Sequence, residues 1–304
     1  MAGVIGTGNH PKALWPGVRA NWGLTYEAHD KEWPDIFEEV NSDKSYEEDV
    51  QQTSFGLVPA KPQGQGVSYD SNGQGYVSRY TNVTYGMGYI VTMEERMDNL
   101  YEYVSMNRST ALAFSTNQTI ETVSANVLNR AINTSYLGGD GSALMVTDHA
   151  LSTGGTASNN LTTDADLSES SLEDLLIQIM LTQNDRGLKI SLMGKCLIVH
   201  PNDWFEANRI LKSVLQNDSS NNATNALKST NALPEGIKVN HYLTDTDAWF
   251  VKTNCPNGLK AQWRMQPTFD QDNDFDTENA KAKVVFRFVP YWTDWRSIFG
   301  SSGA

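Results

Sequence analysis

The alternation of hydrophobic and polar residues divides the chain into stretches of different character. The first 54 residues lack a long aliphatic run, and their charged residues are mostly acidic. One short amphipathic helix is predicted from Pro34 to Val40. Because it has no core of its own, this stretch is interpreted as an arm that docks on another surface, either of another chain or of its own chain. Three tryptophans are its candidate anchors: Trp15, Trp22 and Trp33.

Glycine alternates with β-forming residues from Phe55 to Val91. The stretch 70–73 reads Asp-Ser-Asn-Gly, and Asn-Gly supplies the positive φ of a tight hairpin turn. The sequence therefore predicts a long β-hairpin with its turn at 70–73. Few aliphatic residues line it, and a two-stranded ribbon is marginal alone, so we expect it to lie on a neighbour. Its tyrosines join the tryptophans as interface candidates: Tyr69, Tyr76, Tyr80 and Tyr85.

A long helix is predicted after the hairpin, because neither Gly nor Pro occurs between Gly88 and Gly138. Thr92 and Glu95 have the spacing of a capping box, in which the hydroxyl and the carboxylate satisfy free amides at the helix start. Apolar residues then recur at helical spacing. We predict about 40 residues and about 60 Å of helix. A bend is expected in its polar centre, Ser115–Gln118, where side chains compete for backbone hydrogen bonds.

The rest of the chain has the pattern of a globular α/β part. Two helices are predicted, one from a Ser170–Glu173 capping box to Gly187 and one over 203–215. Residues 195–199 are predicted as a buried strand, and residues 217–230 as an exposed loop. Further strands are predicted at the following positions: 239–243, 248–252, 260–265 and 281–292. In the last strand Phe286 and Phe288 share one face.

Composition narrows the classes of function. The chain has 304 residues, with 23 Lys and Arg against 36 Asp and Glu, which gives a net charge of −13. That balance argues against a general nucleic-acid binder, which needs clustered cations. No apolar run is long enough for a membrane span, and no signal-peptide pattern opens the sequence. Cys196 and Cys255 are the only cysteines, which favours a reducing compartment, although the pair would bridge if the fold brought them together.

No catalytic motif emerges from the sequence, and we predict no catalytic, cofactor-binding or metal-binding residue. The five histidines are scattered, and His200, before Pro201, is interpreted as a local hydrogen-bonding residue. Cys196 is predicted to be an inert core residue. The alternating acidic residues from Asp270 to Asp276 offer oxygen ligands for calcium, but the turn glycine and distal glutamate of a calcium-binding loop are missing. An acidic surface loop is therefore favoured there, with calcium left open.

The order of these parts resembles a major capsid protein of tailed bacteriophages. The local matches form an ordered set: Tyr89-Ile90-Val91-Thr92 running into Glu94 and Glu95, Cys196-Leu197-Ile198-Val199-His200-Pro201 before a helix, Thr244 to Phe250, Asp272 to Phe275, and Phe286-Arg287-Phe288 with Asp294-Trp295-Arg296. The resemblance covers nearly the whole chain. It implies an α+β fold of the Hong Kong 97 type, with an N-terminal arm, an extended β-hairpin called the E-loop, a long spine helix, a peripheral domain and an axial domain.

The resemblance also implies a division of the chain. The expected parts are the arm at 1–54, the E-loop hairpin at 55–91, the spine helix of the peripheral domain at 92–135, the axial domain at 136–265 and returning peripheral strands at 266–304. Some family members cross-link an E-loop lysine to a neighbour's asparagine. Lys61 is the only lysine of the predicted hairpin and would sit at its base, so a cross-link is not expected.

The function implied by the resemblance is a structural subunit that assembles into the icosahedral head around a double-stranded DNA genome. Expected partners are further copies in hexamers and pentamers, a separate scaffolding protein, a portal, a decoration protein, and packaged DNA contacted without sequence specificity. No membrane partner is expected, and the protein would be made in the host cytoplasm and end in the virion. Two alternatives remain: an encapsulin-like compartment shell, and a metal-binding hydrolase or carbohydrate-binding protein.

Overall fold

The fold is seen in a computed structural model that describes residues 11–92, 94–95, 101–151, 154–216, 223–274 and 279–304, with the backbone alone at 11–16 and 101–105. Six α-helices and twelve strands are assigned within these ranges. The helices are α1 (Pro11–Ala28), α2 (Trp33–Ile36), α3 (Tyr101–Asn129), α4 (Glu169–Leu181), α5 (Trp204–Lys212) and α6 (Ala226–Ser229). The first eight strands are β1 (Glu38–Asn41), β2 (Tyr46–Gln52), β3 (Gln74–Thr81), β4 (Val83–Val91), β5 (His149–Ala150), β6 (Thr156–Ala157), β7 (Gly194–Val199) and β8 (Gly236–Val239). The last four are β9 (Trp249–Thr253), β10 (Leu259–Asn273), β11 (Ala280–Trp292) and β12 (Ile298–Ser301).

Two four-stranded sheets organise the molecule. The first, called here the peripheral sheet, has the order β1-β10-β11-β4, with β1 parallel to β10 and the other pairs antiparallel. The second, the axial sheet, has the order β12-β9-β7-β8, with β7 and β8 parallel. β2 and β3 form a separate antiparallel ribbon, and β5 pairs with β6.

The axial sheet is buried on both faces, which explains the uninterrupted apolar run in β7. Cys196 and Ile198 point into a core shared with the peripheral sheet and α3. Leu197 and Val199 point into a second core beneath α4 and α5. A strand covered on both faces reads as a continuous hydrophobic stretch, and the prediction of a buried strand at 195–199 is confirmed.

The arm packs on its own chain, which decides between the two docking surfaces that the sequence left open. α1 packs along α3, with Val18 and Trp22 buried between them and the peripheral sheet. The helix predicted from Pro34 is shorter, because the chain becomes extended at Phe37 and continues as β1 along β10. α1 escaped prediction because its two glycines and Pro16 weaken the local signal, while its stability comes from packing on α3.

The predicted hairpin at 55–91 is wrong in its pairing. β3 pairs with β2, whereas β4 is the edge strand of the peripheral sheet. The single residue between β3 and β4, Asn82, is buried; its amide donates to Lys44 O at 3.0 Å and its oxygen accepts from Gln262 at 3.0 Å. These bonds fix the point at which the chain leaves the ribbon and enters the sheet. They join residues distant in the chain, so no periodicity in the sequence predicts them.

The spine helix is shorter than predicted at its carboxyl end. α3 ends at Asn129, and residues up to 136 form successive turns. Thr92 Oγ1 accepts from the Glu95 amide at 3.3 Å, as the predicted capping box requires, but the Glu95 carboxylate binds Arg108 instead of reaching back. The 29 residues of α3 span about 43 Å.

The expected bend at Ser115–Gln118 does not interrupt α3 in this structure. Thr116 and Asn117 are buried, and Asn117 donates to Tyr26 O of α1 at 3.1 Å. Gln118 reaches the Tyr242 hydroxyl of the axial domain at 3.4 Å. The polar centre of the helix therefore contacts the arm and the axial domain, and a bend between two states of a shell stays a prediction.

Two boundaries predicted in the second half of the chain differ from those in the structure. α4 is capped by a reciprocal Ser168–Ser171 pair, two residues before the predicted box, and it ends at Leu181. Gly187, with φ of 75°, belongs to a later turn. The boundary expected between Met265 and Gln266 lies inside β10, which continues past Pro267 through a register shift; proline has no amide for the ladder.

The carboxyl-terminal segment returns to the axial sheet, not to the peripheral domain. β12 pairs with β9, and Asn159 fixes it from the neighbouring loop. The fully buried Asn159 amide lies 3.0 Å from Ile298 O and 2.7 Å from Leu144 O, while its oxygen accepts from the Val146 amide at 3.0 Å. The ring of the neighbouring His149 is also buried and stacks on Trp295, with ring centroids 4.3 Å apart.

Asn159→Ala is expected to lower the free energy of unfolding by about 3 kcal/mol, because several buried backbone groups lose their only side-chain partner. Asn202→Ala, at an exposed position after β7, is the control and should change it by less than about 0.5 kcal/mol. Urea unfolding of the free subunit measures both. Equal stability of the two variants would contradict the role given to Asn159.

Candidate interaction surfaces

The ribbon formed by β2 and β3 continues beyond its ladder to a tip at residues 62–65. Contacts join its two sides in nearly constant register: Tyr46 with Thr81, Val50 with Val77, Thr53 with Gly73, Gly56 with Asp70, and Pro62 with Gln65. Gly64 takes the positive φ of 81° at the tip turn, a conformation that favours glycine. The predicted turn at 70–73 is therefore wrong, and Lys61 lies beside the tip and not at the base.

The base of the ribbon is fixed to its own chain. Gln51 donates to Asp185 at 3.0 Å, and Arg186 donates to Ser71 O at 2.6 Å. The buried Arg296 holds Asp185 in turn, at 2.9 Å between Nη2 and Oδ1. Backbone amides of Gly56 and Ser71, with Arg186 nearby, lower the pKa of Asp70. These bonds set the direction in which the ribbon leaves the body.

Three of the four candidate tyrosines already have partners in their own chain. Tyr80 stacks on Tyr291 with ring centroids 3.6 Å apart and donates to Trp292 O, and its burial raises its pKa to about 12. Tyr76 donates to Ala150 O at 2.8 Å. Tyr85 stacks on Phe286 at 5.2 Å. Each is half-buried, so each retains only part of its surface for a partner.

The distal ribbon exposes apolar side chains that have no cover in the described part of the chain. Tyr69 is 95% exposed and Val58 is 94% exposed. Both sides of the ribbon contribute to this surface, which we call the ribbon tip surface: Phe55, Leu57, Val58, Val67 and Tyr69. So many exposed apolar groups on a two-stranded ribbon indicate an interaction site.

Two of the candidate tryptophans in the arm do not match the expectation of exposed docking anchors. Trp22 stacks between Tyr26 and Phe269, and Trp33 packs edge-on against Trp263 and Phe288. Both are buried within their own chain, which leaves little area for a partner and corrects their prediction as exposed anchors. The backbone of Trp15 lies in α1, but its side chain is outside the described residues.

His200 and the two cysteines have structural roles. His200 Nδ1 accepts from the Asn202 amide at 3.2 Å, which confirms its predicted local role. Cys196 and Cys255 are free thiols, and burial raises the pKa of Cys196 to about 11. Within the ranges that the structure describes, no group of three or more His, Cys, Asp or Glu residues is placed to hold a metal ion.

The acidic run at 270–276 is part of a strand up to Asn273. Asp270 and Asp272 face Lys283 and Lys281 across the ladder between β10 and β11, an arrangement that pairs opposite charges. Asp276 and Glu278 lie outside the described residues. Across the described chain, no helix is long and apolar enough to span a membrane.

A groove with a cavity volume of about 620 Å³ runs beside the ribbon base. Its charged residues are engaged with one another. Lys260 lies 3.0 Å from Asp49, and Arg296 bridges Asp185 and Asp294. The Lys260–Asp49 pair joins the ribbon base to β10 of the peripheral sheet.

A brief chymotrypsin digestion of the free subunit should cut after Phe55, Leu57 or Tyr69 before it cuts after Trp22 or Trp263. The ribbon tip surface is exposed, whereas these two tryptophans are buried in the core. Mass spectrometry of early fragments identifies the sites, and the urea-unfolded chain is the control, in which all of these sites are cut. A first cut after Trp22 or Trp263 in the folded subunit would refute this.

Comparison with known proteins points to one family. The sequence model of a family described as phage capsid protein matches residues 75–300, which is more than half of the chain. No curated protein sequence matches.

Solved structures share the fold at low sequence identity. A virus-like particle from Pyrococcus furiosus is 11% identical with a TM-score of 0.54, covering 94% of this chain and 98% of that chain. The mature capsid of bacteriophage PhiM1 is 11% identical with a TM-score of 0.54, covering 90% and 86%. The capsid of an empty GTA particle is 10% identical with a TM-score of 0.54, covering 90% of both.

Proposed function

The chain belongs to the phage capsid protein family and is a structural subunit of a phage head of the Hong Kong 97-type fold, and on that premise we propose that its ribbon tip surface joins each subunit to a neighbouring copy in the shell. The single observation that carries this proposal is the exposure of five apolar side chains on a ribbon whose base is fixed. The expectation of a structural capsid protein is confirmed; the contacts proposed here go further.

A fixed base with an apolar tip suits a contact that reaches another copy. The ion pair and hydrogen bonds at the base orient the ribbon, so little entropy is lost there on docking. Covering a Leu or Val side chain fully contributes roughly 1.5–3 kcal/mol. The five apolar residues of the ribbon tip surface, repeated over many subunits, give a stable shell from modest single contacts, because each docked copy raises the effective concentration of the next.

We propose further partners on the strength of the family. The copies are arranged as hexamers and pentamers, assembled with a separate scaffolding protein and a portal, and a decoration protein binds the finished shell. The protein is made in the host cytoplasm and ends in the virion. Packaged double-stranded DNA is contacted without sequence specificity, since a net charge of −13 provides no clustered cations for tight binding.

A compartment shell that encloses proteins is the second candidate. The structural likeness to the Pyrococcus furiosus virus-like particle extends over nearly the whole of both chains. The phage capsid family match favours the head. The contents of particles isolated from the natural source separate the two: packaged double-stranded DNA supports the head, and a protein cargo without DNA supports the compartment.

The ribbon proposal predicts that replacing four tip residues with serine (Leu57, Val58, Val67 and Tyr69) prevents closed shells while the subunit stays folded. These side chains are 67–95% exposed, so their loss removes no core contact. Shell yield, counted by electron microscopy after assembly, should fall at least about tenfold, which corresponds to a loss of about 1.4 kcal/mol in assembly.

The matched control replaces Gln63 and Gln65 of the same tip turn with serine. These polar residues flank Gly64 and lie outside the ribbon tip surface, so shell yield should match that of the parent. Normal shells from the four-residue variant would refute the proposal. A circular dichroism melting curve equal to the parent's shows that the variant's subunit is intact.

A further inference from the structure

Three parts of the chain meet at one buried carboxylate in the middle of the spine helix. Glu121 of α3 is 1% exposed. Its two oxygens accept the backbone amides of Glu32 at 2.9 Å and of Trp33 at 3.0 Å. The spine helix thus binds the arm at the point where α2 begins, through a titratable side chain.

The same arm residues hold the axial domain. The Glu32 carboxylate accepts the backbone amide of His241 at 2.9 Å and contacts His241 Nδ1 at 2.5 Å. Two residues beyond Trp33, the Asp35 carboxylate lies 3.1 Å from Lys238 Nζ, and Lys252 donates to Asp35 O at 3.1 Å. Residues 32–35 therefore bridge the spine helix and the axial domain.

The groups around Glu121 favour its neutral form. Burial first, and then the nearby Glu32 carboxylate, raise the pKa of Glu121 to about 7, against the lowering effect of the two amides and Lys31. Two tyrosines also interact with Glu121. Tyr26 of α1 has its pKa raised to about 12 by burial, with Glu39 and Glu121 adding to the shift, and burial also raises the pKa of Tyr242.

We propose that Glu121, Glu32 and His241 form a proton-dependent latch through which the arm holds the axial domain against the spine helix. The latch is closed at mildly acidic pH and loosened above neutral pH. When Glu121 is protonated, no second negative charge lies near Glu32, and the Glu32 carboxylate keeps its contacts with the backbone amide and ring of His241. When Glu121 is ionised, its buried charge is repelled by the Glu32 carboxylate, with Lys31 as the nearby cation.

The sign follows from linkage. A carboxyl group whose pKa is raised in the folded state contributes stability that is fully present below its ordinary pKa and is lost as the pH rises through its folded value. For Glu121 that window runs from 4.5 to about 7. A pH change across neutrality therefore changes how firmly the two domains are held together, without any change in their cores.

The test is hydrogen exchange of the unassembled subunit at about pH 6 and about pH 8.5, corrected for the intrinsic pH dependence of exchange. Peptides covering 29–37 and 236–244 report the two sides of the latch. In the parent their protection should fall about tenfold between the two pH values, as the release of one linked proton allows. In Glu121→Gln, which stays neutral, protection should change by less than about twofold.

Glu206→Gln is the matched control, because Glu206 lies on α5 in an exposed pair with Arg209. It should respond to pH as the parent does. A parent without pH response, or a Glu121→Gln variant with the parent's response, overturns the latch.

A second variant keeps the proposal testable if Glu121→Gln fails to fold. Glu32→Ala removes both the charge near Glu121 and the side-chain contacts with His241, while the two backbone amides that Glu121 accepts remain. Protection of 236–244 at about pH 6 should then fall to the level of the parent at about pH 8.5. Unchanged protection overturns the latch. Neither result bears on the ribbon proposal, since the subunit is unassembled.

Discussion

The structure depends on the insertion of the arm between its two sheets. Trp33, Ile36 and Phe37 belong to one core that also contains Ile198 of the axial sheet and Phe288 of the peripheral sheet. Neither sheet covers that core by itself, because each presents one face to the other domain. The arm therefore acts as an internal part of the fold, and the positions of both domains depend on its packing.

This constraint separates the parts of the chain that fold alone from those that need a second copy. Every tryptophan whose side chain is described in the arm is buried in its own subunit, whereas the ribbon extends beyond its anchoring bonds with its apolar residues uncovered. A shell subunit with this arrangement holds its own domains together first. The ribbon then contributes apolar area when a neighbour becomes available.

The polar contacts between the domains have a different character from the cores. Glu121, Asn117 and Gln118 all lie on α3 and reach the arm or Tyr242, in the loop after β8, through hydrogen bonds. Directional bonds of this kind fix an orientation and respond to protonation, while apolar packing tolerates small displacements. The polar centre of the spine helix is thus the place where α3 contacts both the arm and the loop after β8.

Local sequence signals determined the elements that carry their own periodicity: the buried strand β7, the alternating faces of β11, the Thr92 cap and most of the spine helix. Together with the order of the parts, they also identified the family. Only the tertiary structure decided that the arm packs inward, that β3 pairs with β2 and that β12 joins the axial sheet. The physical reason is that strand pairing and the burial of single tryptophans depend on contacts between residues distant in the chain. The hydrogen bond between Asn82 and Gln262 is an example, and such a contact produces no periodic pattern in the sequence.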